Sequence, residues 1–292
     1  MHLTAKRLGL NVPIDWWASP AVLKSFEASG FGRVQIHAPP ARVLSDARLC
    51  ARHAAALAEG LATTALEPVV HAPRDLTLGT RGGDLAGEGL LSYAAEVGAT
   101  HVVYHACARP DLPDNQDALL FEARSLAARA RRAELLGVTI AIENLAPVFP
   151  GREVLSAHPM TLRSLARRIG SDRVGVCLDV GHAHIVADLR RTSLEALIEP
   201  VLDVVTLFHV HDNFGARWRA TGAEAGVDPL KLDLHLPPGR GRVDWQRLAP
   251  RLVRHHAPLV LEVHPAYRPS AEDLHRSFTE LLGQRDEALA AT

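Results

Sequence analysis

Histidines and carboxylates follow apolar runs of strand length at several points along this chain. In VGVCLDVGHAHI at 174–185, an uncharged run leads directly into Asp179, and His182 and His184 follow it closely. Imidazole and carboxylate groups bind divalent transition metals, and the same groups carry protons in general acid–base catalysis. A segment suited to burial that ends in such groups indicates a reaction centre at its end.

The same pattern recurs along the chain. Seven of eight apolar runs end in a side chain that can bind a metal ion: His37, His71, His105, Glu143 with Asn144, Asp179, His209, and Glu262 with His264. A single residue of this kind is ordinarily a solvated, ion-paired or capping group. Buried carboxylates without charge partners are costly, so a repeated pattern favours one shared metal site over seven unrelated strand ends.

Two short spacings add further candidate ligands. Asp179 and His182 are three residues apart, so both reach one site if the strand turns directly into a helix or tight turn. Asp233 and His235 are two apart, on one side of an extended segment, and the turn HLPPGRG that follows can fix them. Histidine and carboxylate without cysteine favour Zn²⁺ or Mn²⁺, with Co²⁺ or Fe²⁺ as further choices, over soft metals.

The elements that position these residues alternate in type. Eight apolar runs are separated by stretches with helical spacing, and the runs are 7–12, 33–37, 67–71, 100–105, 138–143, 174–179, 204–209 and 258–263. The alternation predicts an α/β fold, a (β/α)8 TIM barrel with a parallel eight-stranded barrel and outer helices, formed by one domain over 1–292. All strand C-termini of such a barrel meet at one rim, so the candidate ligands should converge there.

Composition excludes several other classes of protein. Apolar residues make up 47% of the chain and charged residues 22%, which is ordinary for a globular protein, and the net charge of −1 provides no overall attraction for nucleic acid. Three scattered cysteines are too few for a disulfide framework. The first residues, MHLTAKRLGLNVPIDWW, have no uninterrupted apolar region of signal-peptide type, and no apolar stretch reaches the roughly 20 residues needed to span a membrane. We therefore expect a cytoplasmic protein without a membrane partner.

Five segments resemble the xylose isomerase-like TIM barrel superfamily, which includes sugar isomerases and epimerases, inosose dehydratases and the endonuclease IV family of abasic-site nucleases. The segments are IENL (142–145), LDVGHAH (178–184), HVHDN (209–213), DLHLPPGRGRVDW (233–245) and LEV (261–263). The resemblance extends from VVHAP near residue 70 to LEVHP near residue 263, and therefore covers most of the chain.

The resemblance implies a set of metal ligands. The ligands of the mononuclear sugar enzymes match Glu143, Asp179, His209 and Glu262, where His209, three residues before Asp212, is preferred to His211. The endonuclease IV family binds three metals, and its further ligands match His71 and His105 for one ion and His182, Asp233 and His235 for another, with Glu143 as a bridge. One to three ions are therefore expected.

The function expected from these matches is divalent-metal-dependent isomerisation or epimerisation of a sugar or polyol, including phosphorylated and keto-sugars. Proton transfer next to a carbonyl would pass through an enediolate, with Glu143 and Glu262 as the acid/base pair and His182 as a catalytic residue that holds a hydroxyl. Expected substrate contacts are His37, Asn144, Trp17, Arg240 and Arg242.

Two other activities also fit these residues. An endonuclease IV-like multinuclear zinc phosphodiesterase would act on abasic DNA, and only this alternative requires a nucleic acid partner. The chain departs from the nuclease pattern, since LDVGH lacks the cysteine that those enzymes carry between Asp and His. A metal-dependent dehydratase or lyase of the same superfamily would act on a small carbohydrate, as the isomerase would. A homodimer is possible under each interpretation.

Overall fold

A closed barrel of eight parallel strands forms the centre of the molecule, and each strand pairs with its neighbours in chain order until β8 meets β1. The computed structural model describes residues 4–106, 115–147, 154–216 and 231–283. The strands are β1 Leu8–Asn11, β2 Arg33–His37, β3 Glu67–His71, β4 His101–His105, β5 Thr139–Glu143, β6 Val174–Asp179, β7 Val205–Val210 and β8 Leu259–Leu261. The predicted (β/α)8 TIM barrel is confirmed.

Helices surround the barrel and cover the outer face of its strands. They are α1 Pro20–Ala28, α2 Ala41–Leu44, α3 Ala47–Leu61, α4 Arg81–Glu96, α5 Asn115–Leu136, α6 Pro159–Ile169, α7 Val180–Leu189, α8 Leu194–Ile198, α9 Trp245–Arg254 and α10 Ala271–Leu281. Side-chain oxygens cap the first turns of several of them, as at Ser19, Asp46 and Ser270. No helix among the described residues is long and apolar enough to cross a membrane.

Strand periodicity determines which residues face the barrel interior. Six interior residues form an apolar cluster of their own, separate from the larger core between strands and helices: Val69, Val103, Ala141, Cys177, Leu207 and Val260. Each stands two positions before a predicted ligand, and residues two apart in a strand point to the same face. The six ligands that follow, from His71 to Glu262, therefore also point inward, above this apolar layer at the C-terminal rim.

Helix α7 follows β6 without any loop. Asp179 is both the last residue of the strand and the N-cap of the helix, and its Oδ1 accepts a hydrogen bond of 2.7 Å from the backbone N–H of His182. The sequence is compatible with either a helix or a tight turn directly after Asp179. Because the helix begins at once, the side chains of Asp179 and His182 both stay at the rim.

Candidate active site at the barrel rim

Strand register brings the predicted ligands side by side. His37 lies opposite His71 on the neighbouring strand, and His105 lies opposite Glu143 in the same way. Asp179 lies opposite His209. Partners at equivalent positions on adjacent strands are about 5 Å apart, so these side chains are neighbours although they are distant in sequence.

We call the first cluster the inner group. It consists of Glu143, Asp179, His209 and Glu262, all buried, with one ligand atom of each lying within 4.8 Å of the others. Nδ1 of His209 lies 2.9 Å from Glu143 Oε1, 3.5 Å from Glu262 Oε2 and 4.0 Å from Asp179 Oδ2. Three carboxylates thus surround one imidazole nitrogen in the interior of the barrel.

A second cluster, the bridging group, shares Glu143 with the inner group. Oε2 of Glu143 lies 3.3 Å from His71 Nε2 and 3.0 Å from His105 Nε2, while Oε1 faces His209. The rings of the two added histidines meet edge to face with centroids 4.8 Å apart. Glu143 is therefore placed to serve two clusters with its two oxygens.

The outer group consists of His182, His211, Asp233 and His235. Oδ2 of Asp233 lies 3.3 Å from His182 Nε2, and the carboxylate lies 3.2 Å from His235 Nε2. Nε2 of His211 lies 3.0 Å from Asp179 Oδ1, and its ring stacks on His235 at 3.8 Å. The sequence offered His209 and His211 as competing choices, but the fold places them in two different clusters.

Three of the six imidazoles in these groups have a fixed tautomer when neutral. One ring nitrogen of His71, His182 and His235 donates to the backbone carbonyl of Ala72, Asn144 and Glu262 at 2.7, 2.8 and 2.9 Å. In each case the other nitrogen, Nε2, faces a carboxylate of the site. Metal-binding histidines characteristically anchor one nitrogen in this way and present the other to the ion.

Gln35 anchors the fourth histidine, and the sequence did not single it out. This fully buried residue accepts a hydrogen bond of 2.7 Å from Nε2 of His209 and donates one to Oε1 of Glu262. It stands one layer below the rim, two residues before His37. The only sequence signal was a polar residue inside the apolar strand RVQIH.

The carboxylates of the site hold negative charge. Burial alone would raise the pKa of Glu262, but His209, His235 and His71 together outweigh this effect and lower the pKa to about 2. Burial likewise opposes ionisation of Glu143, whose pKa His209 and His105 hold well below the ordinary range. In return, Asp233 overcomes the burial of His235 and raises its pKa to about 9. The site therefore favours positive charge, whether from protons or from a cation.

Several polar atoms of the site have no hydrogen-bond partner. Among the described residues, Oδ2 of Asp179, Nε2 of His211 and Oδ1 of Asp233 are buried, and the charged groups close to them are not aligned as hydrogen-bond partners. Buried polar atoms are ordinarily paired, so unpaired ones at a cluster of metal-type ligands call for a further group. A divalent cation fits this donor set, which combines imidazole and carboxylate without thiolate.

Asp212 holds the outer group in place. Its backbone pairs with Leu236, and its carboxylate accepts hydrogen bonds from the backbone N–H of Gly239 at 2.9 Å and Val243 at 3.1 Å. The indole of Trp245 donates to the same carboxylate at 2.8 Å. These bonds fix the segment that carries Asp233 and His235 across the barrel mouth, beside the end of β7.

His235 itself adopts an uncommon backbone conformation. Its φ of 50° lies in the left-handed region, which is uncommon for residues other than glycine, although histidine is among those that adopt it more often. Such strained conformations persist where surrounding bonds impose them, and they concentrate at functional sites. Here the backbone carbonyl of His235 accepts from His264, while its ring donates to Glu262, so both ends of the residue are held.

A cavity of about 980 Å³ opens above the three groups. Glu143, Glu262 and His182 line it, as do two of the predicted substrate contacts, Trp17 and His37. Burial and the neighbouring His71 lower the pKa of His37 to about 3, so its ring is neutral at physiological pH. A neutral imidazole offers both a donor and an acceptor to a hydroxyl group.

The other three predicted substrate contacts lie away from this cavity. Arg240 and Arg242 are exposed and do not line it. Asn144 is fully buried, and its amide pairs with the backbone of Asp179 in both directions, at 2.8 and 2.9 Å. Asn144 therefore holds the end of β6 against β5, which positions the Asp179 carboxylate.

Two solved structures share this architecture at low sequence identity. A D-tagatose 3-epimerase-like protein has a TM-score of 0.72 and 22% identity, over 95% of this chain and 97% of that one. The IOLI protein with a bound zinc atom has a TM-score of 0.66 and 17% identity, over 95% of this chain and 98% of that one. At these identities the likeness concerns the fold.

Sequence comparison gives two further matches. The uncharacterized protein y4fM of Sinorhizobium fredii (strain NBRC 101917 / NGR234) is 31% identical over 166 residues, which are 54% of this chain and 44% of that protein. The match thus spans less than half of the relative's length. The family model described as xylose isomerase-like TIM barrel matches residues 23–281. Together with the closed eight-stranded barrel, this match shows that the chain belongs to the xylose isomerase-like TIM barrel family.

Proposed function

We propose that the protein is a divalent-metal-dependent isomerase or epimerase that acts on a sugar or polyol by proton transfer next to a carbonyl. The observation that carries this proposal is the inner group, in which three buried carboxylates surround the imidazole of His209 and two of them, Glu143 and Glu262, line the 980 Å³ cavity. The family, and the likeness to a D-tagatose 3-epimerase-like protein, support the same class of reaction.

Glu143 and Glu262 are the proton-transfer pair of this proposal. Both line the cavity, and both have a pKa below the ordinary range, so each is ionised and can take the proton next to the carbonyl at neutral pH. In an isomerisation the same carboxylate returns that proton to the enediolate, and in an epimerisation its partner returns a proton taken from solvent to the opposite face. His182 also lines the cavity, and it is placed to hold a substrate hydroxyl. Its ring is fixed by the carbonyl of Asn144, so the hydroxyl would meet a rigid partner.

Glu143, Asp179, His209 and Glu262 would hold the cation. A bound divalent ion supplies Lewis-acid polarisation of the substrate carbonyl and neutralises negative charge that develops on oxygen. The residues around it orient the ligands: Gln35 fixes His209, and the Asn144 amide fixes the end of β6. Zn²⁺ and Mn²⁺ suit this donor set best, and Co²⁺ and Fe²⁺ are compatible with it.

A second candidate function rests on the bridging and outer groups. A sugar isomerase of the mononuclear kind needs neither of them, whereas a multinuclear phosphodiesterase uses several metals with a shared carboxylate. Glu143 has that shared position, between His209 on one side and His71 and His105 on the other. A metal-dependent dehydratase acting on a keto-sugar would use the inner group as the isomerase does.

Proton exchange tests the proposed reaction without knowledge of the product. Purified protein loaded with Mn²⁺ or Zn²⁺ would be incubated in D2O with a panel of ketoses, keto-polyols and their phosphates, and the proton next to the carbonyl followed by NMR. We expect deuterium incorporation with at least one compound and its loss in Glu262→Gln. Absence of exchange throughout the panel, together with metal-dependent cleavage of duplex DNA containing an abasic site, would overturn the proposal.

The number of bound ions distinguishes the two candidates independently. Metal analysis would give equivalents per chain for the wild type and for Asp233→Ala with His235→Ala. About one equivalent, unchanged in the double variant, supports the mononuclear sugar enzyme. Two or three equivalents that fall in the double variant support the multinuclear hydrolase, because those two residues belong to the outer group alone.

A further inference from the structure

The cavity extends well beyond the candidate metal ligands. At about 980 Å³ it lies near the upper end of the roughly 300–1,000 Å³ range of pockets that enclose drug-sized ligands. The ligand groups occupy its inner end, while its outer part is formed by the loops that follow β1, β2 and β3. A free monosaccharide at the inner end would therefore leave the outer part unused.

We call this outer part the apolar wall. It is lined by Ile14, Trp16, Trp17, Pro40, Val43 and Pro73. Ile14, Trp16 and Trp17 are 57%, 55% and 49% exposed, although large apolar side chains are ordinarily covered. Their exposed surface faces the same cavity as the carboxylates, so a molecule bound at the inner end is in a position to cover it.

Trp17 is held in position from behind. Its indole meets the ring of His53 edge to face at a centroid distance of 5.2 Å, and Nδ1 of His53 lies 3.1 Å from the hydroxyl of Tyr93. Tyr93 is buried in helix α4. The tryptophan is thus supported by the barrel's helical layer, and a rigid aromatic surface of this kind binds planar or apolar groups at low entropic cost.

Polar groups are scarce along the apolar wall. His53, Arg74 and Asp75 are the polar side chains that line this part of the cavity in the described part of the chain. The His53 nitrogen already pairs with Tyr93, and Asp75 accepts from the backbone N–H of Ala41. A second sugar unit carries several hydroxyls that each need a partner when buried, so this wall does not suit one.

From these observations we infer that the substrate is a glycoside of a keto-sugar, with its ketone on a ring carbon away from the glycosidic bond and with an apolar, planar aglycone. Its sugar binds at the metal groups and its aglycone against Trp16 and Trp17. This inference rests on the proposed function, because it takes the inner end of the cavity as the place where the sugar reacts. The aglycone takes no part in the proton transfer; it contributes binding energy and selects the substrate.

Binding measurements test the inference separately from catalysis. Calorimetry with the Mn²⁺-loaded protein would compare methyl and 4-nitrophenyl glycosides of glucose, galactose and xylose, in both anomers, which lack the ketone and therefore report binding of the aglycone without reaction. We expect at least one aryl glycoside to bind ten times more tightly than its methyl counterpart. In Trp16→Ala with Trp17→Ala, the aryl preference should fall to within about twofold, while Arg74→Ala, on the same loop cluster, should keep it.

Two outcomes would overturn the inference: no glycoside pair shows an aryl preference, or the preference survives removal of both tryptophans. Thermal unfolding of the variants controls for folding, and both tryptophans are half exposed. The deuterium exchange assay uses free ketoses and so needs no aglycone. If deuterium exchange occurs but no aryl preference is found in binding, only the inference about the aglycone is contradicted. If the aryl preference is found but no compound exchanges deuterium, only the proposed reaction is contradicted.

Discussion

Gln35 and His209 are joined by a hydrogen bond of 2.7 Å between Oε1 of the amide and Nε2 of the ring. The other end of the same amide donates to Glu262, so one buried side chain connects two members of the inner group. The anchors of His71, His182 and His235 are backbone carbonyls, which no substitution removes. Gln35 is therefore the anchor that mutation can test.

Replacing Gln35 by leucine should weaken metal binding at the inner group by about 10- to 100-fold, the usual effect of losing a partner that orients a ligand. Competition with a chelator measures the affinity. Gln35→Glu should also weaken binding, because glutamate keeps the acceptor for His209 but places a carboxylate against Glu262. Equal metal affinity in wild type and both variants would show that the amide does not orient the ligands.

Substitution of Gly181 should show how tightly the outer group is packed. A Cβ at this position would lie 2.1 Å from the ring of His211, which is buried and stacked on His235. Gly181→Ala is therefore expected to lower the free energy of unfolding by about 1–3 kcal/mol, although Gly→Ala in a helix is ordinarily stabilising. Urea unfolding measures the change.

Gly82→Ala is the matched control, since Gly82 is likewise the second residue of its helix and nothing lies within 4 Å of the added Cβ. It should stabilise the protein by up to about 1 kcal/mol. Adding His211→Ala to Gly181→Ala should restore part of the lost stability, because the two changes act on one contact. If the two substitutions change the free energy of unfolding in a strictly additive way, the Cβ added at Gly181 does not act through its contact with His211.

The barrel and most of its rim could be predicted from the sequence because both depend on short-range regularities. Apolar runs alternate with helical spacing, and the residue at each strand end is fixed to one face by its distance from the apolar residue two positions earlier, as Asp179 is by Cys177. Barrel closure then brings all the strand ends together, whatever their separation along the chain.

The remaining features depend on contacts between distant segments, which no local pattern encodes. Gln35 belongs to the site because barrel closure brings β2 within reach of His209 on β7. His211 joins the outer group because the chain after it returns antiparallel along Asp212, which lays His235 on its ring. Arg240 belongs to a plausible motif but is exposed and does not line the cavity, and Asp212 fixes the turn next to it through the backbone N–H of Gly239.

Replacing Asp212 by asparagine should release that turn. An amide N–H group in place of Oδ2 would face the donors of both Gly239 and Trp245, which now bond to that oxygen, and would leave them unpaired. Hydrogen bonds to charged groups contribute about 1.5–3 kcal/mol each, so we expect a loss of about 3 kcal/mol in the free energy of unfolding. If the outer group of the wild type binds a metal ion, the number of bound ions per chain should also fall in Asp212→Asn.

Asp244→Asn provides the control for this prediction. Asp244 is the exposed N-cap of α9, and asparagine serves equally well at that position, so stability should change by no more than about 0.5 kcal/mol. Denaturant unfolding and metal analysis on both variants give the comparison. If Asp212→Asn behaves like Asp244→Asn, the carboxylate does not hold the turn.

His101, at the opposite end of the barrel from the site, should make stability depend on pH. Burial and the neighbouring Arg33 lower its pKa from 6.5 to about 4. Between pH 6.5 and 4 the unfolded chain binds a proton on this histidine that the folded protein does not bind. The stability contributed by the neutral imidazole is therefore fully present above pH 6.5 and is lost as the pH falls towards 4. Between pH 7.5 and 5.0 the loss should be roughly 2 kcal/mol.

Other groups also titrate in this range, so the effect must be isolated by difference. Urea unfolding of wild type and His101→Gln at both pH values, with chelator present, gives the contribution of this one imidazole. The variant should lose about 2 kcal/mol less than the wild type on acidification, because glutamine has no proton to gain. Parallel losses in the two proteins would mean that His101 can take up its proton within the folded barrel, through a local opening between β4 and its neighbours.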